Sequence, residues 1–256
     1  MATVATPRSR TFVGSFYITM AAIFAFVAFS GFFLTYWVPV ARGTFSGSPM
    51  LHLHGLLFSL WTLFFLSQAV LVANGGLRHH KAWGLAGISL ATAMVLVGIT
   101  VAVDGLGRRL ELGYGDAARA FTFVPVSAVL LFGGLVAAAI ANWRNPEWHK
   151  RLMLVATGAL LQPAIARYFF VLNGKADATL RQAGPPPPIE FTMMPGFIAD
   201  ALILAAVLYD WRARGRLHPA YAWGFGAVLV VHLSRPIIAR TEAWYAVADF
   251  LVRFNG

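Results

Sequence analysis

Apolar residues follow one another in seven long stretches, which short polar segments separate. The stretches cover residues 12–39, 51–73, 81–103, 118–142, 149–172, 191–210 and 219–239. A helix rises about 1.5 Å per residue, so roughly 20 apolar residues cross the roughly 30 Å hydrocarbon layer of a bilayer. The pattern predicts an all-α membrane protein with about seven transmembrane helices and one integral membrane domain over residues 1–256. Residues 241–256 have apolar positions at helical spacing, which predicts a surface helix or an extension of the last span.

Composition supports a membrane location and narrows the chemistry. The chain is 59% hydrophobic and 12% charged, with a mean hydropathy of +0.69, which excludes an ordinary soluble domain. It contains no cysteine, so thiolate metal sites, cysteine-ligated iron–sulfur clusters and a cysteine nucleophile are excluded. The net charge of +10 does not indicate a nucleic-acid partner, because the basic residues lie at helix ends and in short loops.

The distribution of basic residues predicts the orientation. Segments on the amino-terminal side of the membrane contain only two acids, Glu147 and Asp210, against these basic residues: Arg8, Arg10, Arg78, Lys81, Arg144, Lys150, Arg151, Arg212, Arg214 and Arg216. Lys and Arg in short loops favour the cytoplasmic side. We therefore expect a multi-pass protein of the cytoplasmic membrane with a cytoplasmic amino terminus.

Three histidines open successive helices at a constant interval. His80, His149 and His218 are spaced 69 residues apart. His80 and His218 directly precede a predicted span, and His149 is the first residue of one. A second repeated motif is Pro-Ala-Ile-Ala-Arg at residues 163–167, which resembles Pro-Ile-Ile-Ala-Arg at residues 236–240. The sequence therefore predicts three related helical hairpins after one leading helix, and membrane proteins built from repeats often place sites between the repeats.

Polar residues within the spans are the strongest functional signal, because burying them in lipid is costly. His54, Gln162, Asp200 and His232 are predicted at one depth in the outer half of the membrane, with Arg167, Arg235 and Arg240 just beyond. We expect a partner for Asp200, either Arg235 or a histidine.

The second span has two different faces. His54, Phe58, Trp61, Phe65 and Gln68 form one stripe, whereas His52 lies on a face with small residues, Gly55, Ser59 and Thr62. Only one of the two histidines can therefore point at a given ligand, and the sequence leaves open which one.

This pattern suggests a membrane-bound b-type haem protein in electron transfer. A six-coordinate haem needs one neutral imidazole on each side, an apolar slot and cations for its propionates. His54 and His232 would be the axial pair in the outer leaflet, with His52 as the other candidate on span two. Trp61 and Gln68 would line the slot, and Arg167, Arg235 and Arg240 would bind propionates. A second haem on the inner side would use His218 with His80 or His149.

Other interpretations fit the same residues. Histidines such as His80, His149 and His218 are also common in interfacial loops. Arg167, Arg235 and Arg240 could instead contact lipid headgroups. His54, His232 and Asp200 could instead hold a divalent transition metal in a membrane hydrolase or oxidase. A transporter, or an accessory subunit of a larger membrane complex, is the non-catalytic alternative. The expected partners are the lipid bilayer and, for the haem hypothesis, a quinol or a redox partner protein.

Several motifs carry a family resemblance. His52-Leu-His54-Gly55, His80-Lys-Ala-Trp-Gly84 and His149-Lys-Arg-Leu-Met153 resemble a family of uncharacterised bacterial multi-pass membrane proteins, which implies a bacterial inner membrane but no activity. The helix-borne histidines near both membrane faces are distantly similar to membrane haem proteins of the cytochrome b561 kind. Those proteins have paired histidines on four central helices, whereas only span seven here has a histidine at both depths.

Overall fold

The computed structural model describes residues 7–174 and 184–255, and every regular element in them is helical. The α-helices are α1 (Pro7–Phe32), α2 (Val38–Ala41), α3 (Pro49–Ala73), α4 (Leu77–Glu111), α5 (Gly115–Ala141), α6 (Pro146–Ala159), α7 (Gln162–Leu172), α8 (Met193–Arg214), α9 (Pro219–Ile238) and α10 (Glu242–Asn255). A π-helical turn, Phe33–Trp37, joins α1 to α2, and a 3₁₀ turn, Ile189–Thr192, precedes α8. The predicted all-α fold is confirmed.

Among the described residues, seven helical segments are long and apolar enough to cross a bilayer, so the protein is a multi-pass membrane protein. They are 15–41, Pro49–Ala73, Leu77–Glu111, Gly115–Ala141, 146–172, 189–214 and Pro219–Ile238. They overlap the seven predicted spans one for one, with different ends.

The largest difference is in α4, which continues to Glu111 instead of ending near residue 103. Asp104 accepts a hydrogen bond from Arg108 one turn later, at 3.1 Å, and Arg109 donates to the carbonyl of Gly105. These contacts satisfy the charged groups within the helix, so a polar stretch that suggests a loop stays helical.

The fifth span is interrupted in the middle. α6 ends at Ala159 and α7 begins at Gln162, with Pro163 in the first turn of α7. Proline has no backbone N–H and clashes with the preceding turn, which explains a break at this point. The span lies centrally: α6 packs against α5, α8 and α9, and α7 packs against α1 and α8.

Helix α1 approaches the fifth span very closely. A Cβ atom on Gly31 would lie 2.4 Å from the carbonyl oxygen of Ala164, so only glycine permits this backbone contact. The contact fixes the leading helix against α7.

The carboxyl-terminal segment is a separate helix rather than an extension of the last span. α9 ends at Ile238, and α10 packs against α4 and α5. The Trp244 indole donates to the carbonyl of Arg119 at 2.8 Å, and Arg119 in turn pairs with Asp249 at 2.8 Å. α10 therefore covers the end of the bundle at which α4 ends and α5 begins.

Candidate functional site

Two histidines from different helices meet at the end of the bundle where α4 and α6 begin. The ring centroids of His80 and His149 are 6.1 Å apart, and the two ring planes are inclined at 80°. His149 Nδ1 lies 2.9 Å from the carbonyl oxygen of Ala139, to which it can donate. That hydrogen bond leaves Nε2 of His149 as the nitrogen with a free lone pair. His80 Nδ1 is buried and has no partner in the described part of the chain.

The backbone of α4 is open one turn after His80, at the partly exposed Gly84. A Cβ atom added there would meet nothing within 4 Å. The next positions along this side of the helix, Gly87, Ala91 and Met94, are buried, so α4 enters the bundle there. At Gly87, by contrast, a Cβ would lie 2.5 Å from the Phe64 ring. The backbone is therefore accessible at Gly84 and closely packed one turn later.

His218 does not join this pair, contrary to the expectation that it would pair with His80 or His149. Its Nδ1 accepts a hydrogen bond from the backbone N–H of Ala220 at 3.1 Å and so caps the first turn of α9. Its ring lies 5.9 Å from that of Trp148. Burial, followed by the positive charge of Arg151, lowers the pKa of His218 below its usual value. The neutral ring is also the form that can accept the capping hydrogen bond.

A second buried polar cluster lies in the opposite half of the bundle. His232 Nδ1 is 2.8 Å from Asp200 Oδ2, and the two residues are 3% and 4% exposed. When Nδ1 carries the ring hydrogen, it donates to Asp200 Oδ2, and the lone pair of His232 then lies on Nε2. Asp200 Oδ1 is buried and has no partner within the described residues. The partner expected for Asp200 is therefore the histidine and not Arg235.

Arg235 is held by neutral groups and is fully buried. It donates through Nη2 to Gln162 Oε1 at 3.0 Å and through Nη1 to Thr192 Oγ1 at 3.2 Å. Gln162 donates to the carbonyl of Thr192 at 3.0 Å and closes the network. The suggested roles of Arg235 in binding propionates or lipid headgroups do not fit this burial, because its terminal nitrogens are already bound inside the protein.

The two faces of α3 separate as the pattern predicts. His52 Nδ1 lies 3.0 Å from the hydroxyl of Tyr36, and Gly55 lies against the same tyrosine, so this face packs on the first span. His54 is half-buried and packs on Phe58, with ring centroids 4.1 Å apart, and its buried Nδ1 has no described partner. His54 is thus the histidine of the pair with a nitrogen available within the bundle.

His54 and His232 are carried by helices with different neighbours. α3 packs mainly against α1 and α4, whereas α9 packs mainly against α5, α6 and α8. Within residues 7–174 and 184–255, no three His, Asp or Glu side chains are placed so that they could hold a metal ion. The metal site suggested for His54, His232 and Asp200 is therefore not assembled in this structure.

The other predicted site residues have packing or surface roles. Trp61 is 1% exposed, donates to Thr157 Oγ1 at 3.3 Å and lies edge-on to Phe132. Gln68 is 8% exposed, and its buried Oε1 has no described partner. Arg240 is exposed and pairs with Glu190 at 2.5 Å.

Arg167 remains a candidate for binding an anionic group near His54. It lies over the rings of Phe32 and Phe170, at 5.5 and 5.9 Å, and its charge acts on His54. No carboxylate of the described residues pairs with it.

One buried charge network was not anticipated from the sequence. Arg151 is fully buried in α6 and binds Asp210 of α8 through Nε, at 3.1 Å, and through Nη2. Its Nη1 donates to Glu147 Oε2 at 2.7 Å, and Arg214 binds both carboxylates. From the sequence, these residues were expected only to help orient the protein in the membrane. The available signal was the spacing of Glu147 and Arg151, and of Asp210 and Arg214, at one helical turn.

Comparisons with known proteins leave the family undetermined. No protein-family model, no curated protein and no solved structure matches this chain.

Proposed function

We propose that the protein is a membrane-bound b-type haem protein that transfers electrons, with His80 and His149 as one axial pair. The observation that carries this proposal is the geometry of those two rings. Two imidazoles on opposite sides of one iron, each at a metal–nitrogen distance of about 2 Å, place their centroids about 6 Å apart. The 6.1 Å separation of His80 and His149 agrees with that value.

The surroundings of the pair also fit a haem. The carbonyl of Ala139 can fix the His149 ring with Nε2 free, which is the usual arrangement for a ligating histidine. A macrocycle beside His80 needs a place where the helix backbone can be approached closely, and the partly exposed Gly84, one turn along α4, leaves its backbone open. Arg78 and Lys81 are exposed within three residues of His80 and can bind propionates at the surface.

We also propose His54 and His232, in the opposite half of the bundle, as ligands of a second haem; their predicted depth and their ring nitrogens support this, although the described residues show no contact between the two rings. His232 is fixed by Asp200 and keeps Nε2 free, and the unpaired Nδ1 of His54 is buried beside the aromatic ring of Phe58. Arg167 is the cation near His54, and we assign the propionate role to it because Arg235 is bound inside the protein and Arg240 pairs with Glu190.

In this function, bound haem would supply reversible one-electron transfer, and the protein would supply ligands, orientation and an apolar surrounding. Two centres near opposite ends of the bundle suit electron transfer across the membrane. A quinol in the bilayer or a redox partner protein would be the donor, and an additional subunit could provide the acceptor.

A pair of glycine substitutions tests the proposal without touching a ligand. Gly84→Leu fills the space one turn from His80, and Gly134→Leu adds the same side chain at an exposed glycine of α5 that also has nothing within 4 Å. Leucine favours a helix more than glycine, by up to about 1 kcal/mol, so neither change should unfold its helix. We expect Gly84→Leu to lose haem and Gly134→Leu to keep it. Equal haem content in both variants would contradict the assignment of this space.

A further inference from the structure

A groove lies between the second half of the first span and α7. Its volume is about 860 Å³, within the range of roughly 300–1,000 Å³ that is typical of small-molecule sites. Both of its walls belong to membrane-spanning segments, and rim residues such as Phe33 and Leu172 are exposed. The groove therefore opens to the hydrocarbon layer, from which a lipid-soluble ligand can enter it.

One wall of the groove is aromatic. The rings of Phe29 and Trp37 are stacked, with centroids 5.8 Å apart and planes inclined at 27°, and both residues line the groove. Trp37 ends the π-helical turn Phe33–Trp37, and such turns within helices are frequent at functional sites. A flat aromatic ring gains stacking energy against this wall, which a flexible acyl chain does not.

Two hydroxyl groups form the polar part of the groove, and both of their hydrogens are already used. Among the described lining residues, Ser30 and Tyr168 carry the only hydroxyls, and the two oxygens lie 2.5 Å apart. Ser30 Oγ donates to the carbonyl of Phe26, which can only accept. The hydrogen between the two hydroxyls is therefore the one that Tyr168 donates to Ser30. Tyr168 Oη is left with lone pairs, which carry negative partial charge, and with no hydrogen to give to a ligand.

We propose that this groove binds a quinol, which combines a flat aromatic ring, two hydroxyl groups and an apolar tail. The ring packs against the aromatic wall, the tail follows the groove into the bilayer, and one quinol hydroxyl donates to Tyr168 Oη. This inference rests on the proposed function, which names a quinol as a possible electron donor. Because Tyr168 can only accept, the groove prefers the hydroxyl of a quinol to the carbonyl of a quinone or the ester of a phospholipid.

The test is equilibrium binding of a decyl-substituted benzoquinol to the purified protein in detergent, with dithionite present so that the probe stays reduced. The dimethyl ether of the same quinol has the same ring and tail but cannot donate a hydrogen bond. We expect the quinol to bind about 3- to 10-fold more tightly than the ether, which is the net effect of one hydrogen bond. Tyr168→Phe keeps the ring and removes the acceptor, so it should weaken quinol binding to the level of the ether and leave the ether unchanged.

Two further variants separate the hydroxyl from the rest of the groove. Ser30→Ala frees the hydrogen of Tyr168, which can then be donated to the ether oxygens, so the difference between the two probes should shrink. Tyr36→Phe is the matched control, because its hydroxyl contacts His52 outside the groove, and it should change neither affinity.

Equal binding of the two probes to the wild type, or an unchanged quinol affinity in Tyr168→Phe, would overturn the proposal and leave the groove to lipid acyl chains. If Tyr168→Phe does not fold, an unchanged difference between the probes in Ser30→Ala would overturn it. The measurement does not depend on haem. A colourless protein with the expected binding pattern would therefore refute the haem assignment and keep the quinol site, whereas a haem-containing protein that binds both probes equally would refute the quinol site alone.

Discussion

Neutralising Asp210 should destabilise the protein strongly, because it breaks the buried charge network between α6 and α8. The side chains of Arg151 and Asp210 are 0% and 10% exposed, and the guanidinium gives two of its nitrogens to this carboxylate. Removing one partner of a buried ion pair costs about 3–5 kcal/mol, since the other charge stays buried. We expect the lower end of this range for Asp210→Asn, because Glu147 still binds Nη1 of Arg151.

The assay is thermal unfolding of the purified protein in detergent. At about 2–4 °C per kcal/mol for a chain of this size, a loss of about 3 kcal/mol lowers the melting temperature by roughly 6–12 °C. Asp104→Asn breaks a partly exposed pair one turn apart on α4, worth about 0.3–0.5 kcal/mol, and should lower it by no more than about 2 °C. Equal melting temperatures for the two variants would refute the claim that the Arg151 network joins these helices.

Three further changes have defined outcomes. Gly31→Leu should cost about 1–3 kcal/mol by overpacking against the backbone of Ala164, whereas Gly134→Leu should cost nothing; identical melting curves would contradict the close contact. Because the folded state lowers the pKa of His218, the unfolded chain binds more protons just below pH 6.5, and stability should fall as pH decreases through this region. His218→Asn keeps a capping acceptor without titrating, so its stability at pH 8 should match the wild type and its loss at pH 5.5 should be smaller; the same loss in both proteins would contradict this role. Gln162→Leu removes an acceptor from the buried Arg235 and should lower stability by about 1–3 kcal/mol in the same melting assay, and an unchanged melting temperature would contradict the network.

The helices were predictable because lipid imposes a simple rule on sequence. About 20 apolar residues must follow one another to cross a bilayer, so the seven spans are visible without knowledge of packing. The ends of the helices were predicted less accurately. α4 continues through Asp104 and Arg108 because these two residues pair within the helix, which a hydropathy pattern does not show.

The layer of polar residues inside the bundle could be predicted from the sequence, but not how they pair. Depth along a helix placed Asp200, His232 and Gln162 in one layer, and the structure brings Asp200 to His232 and Gln162 to Arg235. Rotation and neighbours decide which groups meet, and these depend on tertiary packing. That is why His218 was expected beside His80 or His149, although it caps α9 instead. The orientation in the membrane and the three-hairpin repeat remain predictions.

The proposed function depends on His80 and His149 binding one haem between them. The most direct test is the absorption spectrum of the protein purified from haem-replete cells, oxidised and then reduced with dithionite, for the wild type, His80→Ala and His149→Ala. We expect the spectrum of a six-coordinate b-type haem in the wild type, and the loss of one haem per chain in each variant. A colourless wild type, or variants with the full wild-type haem content, would contradict it.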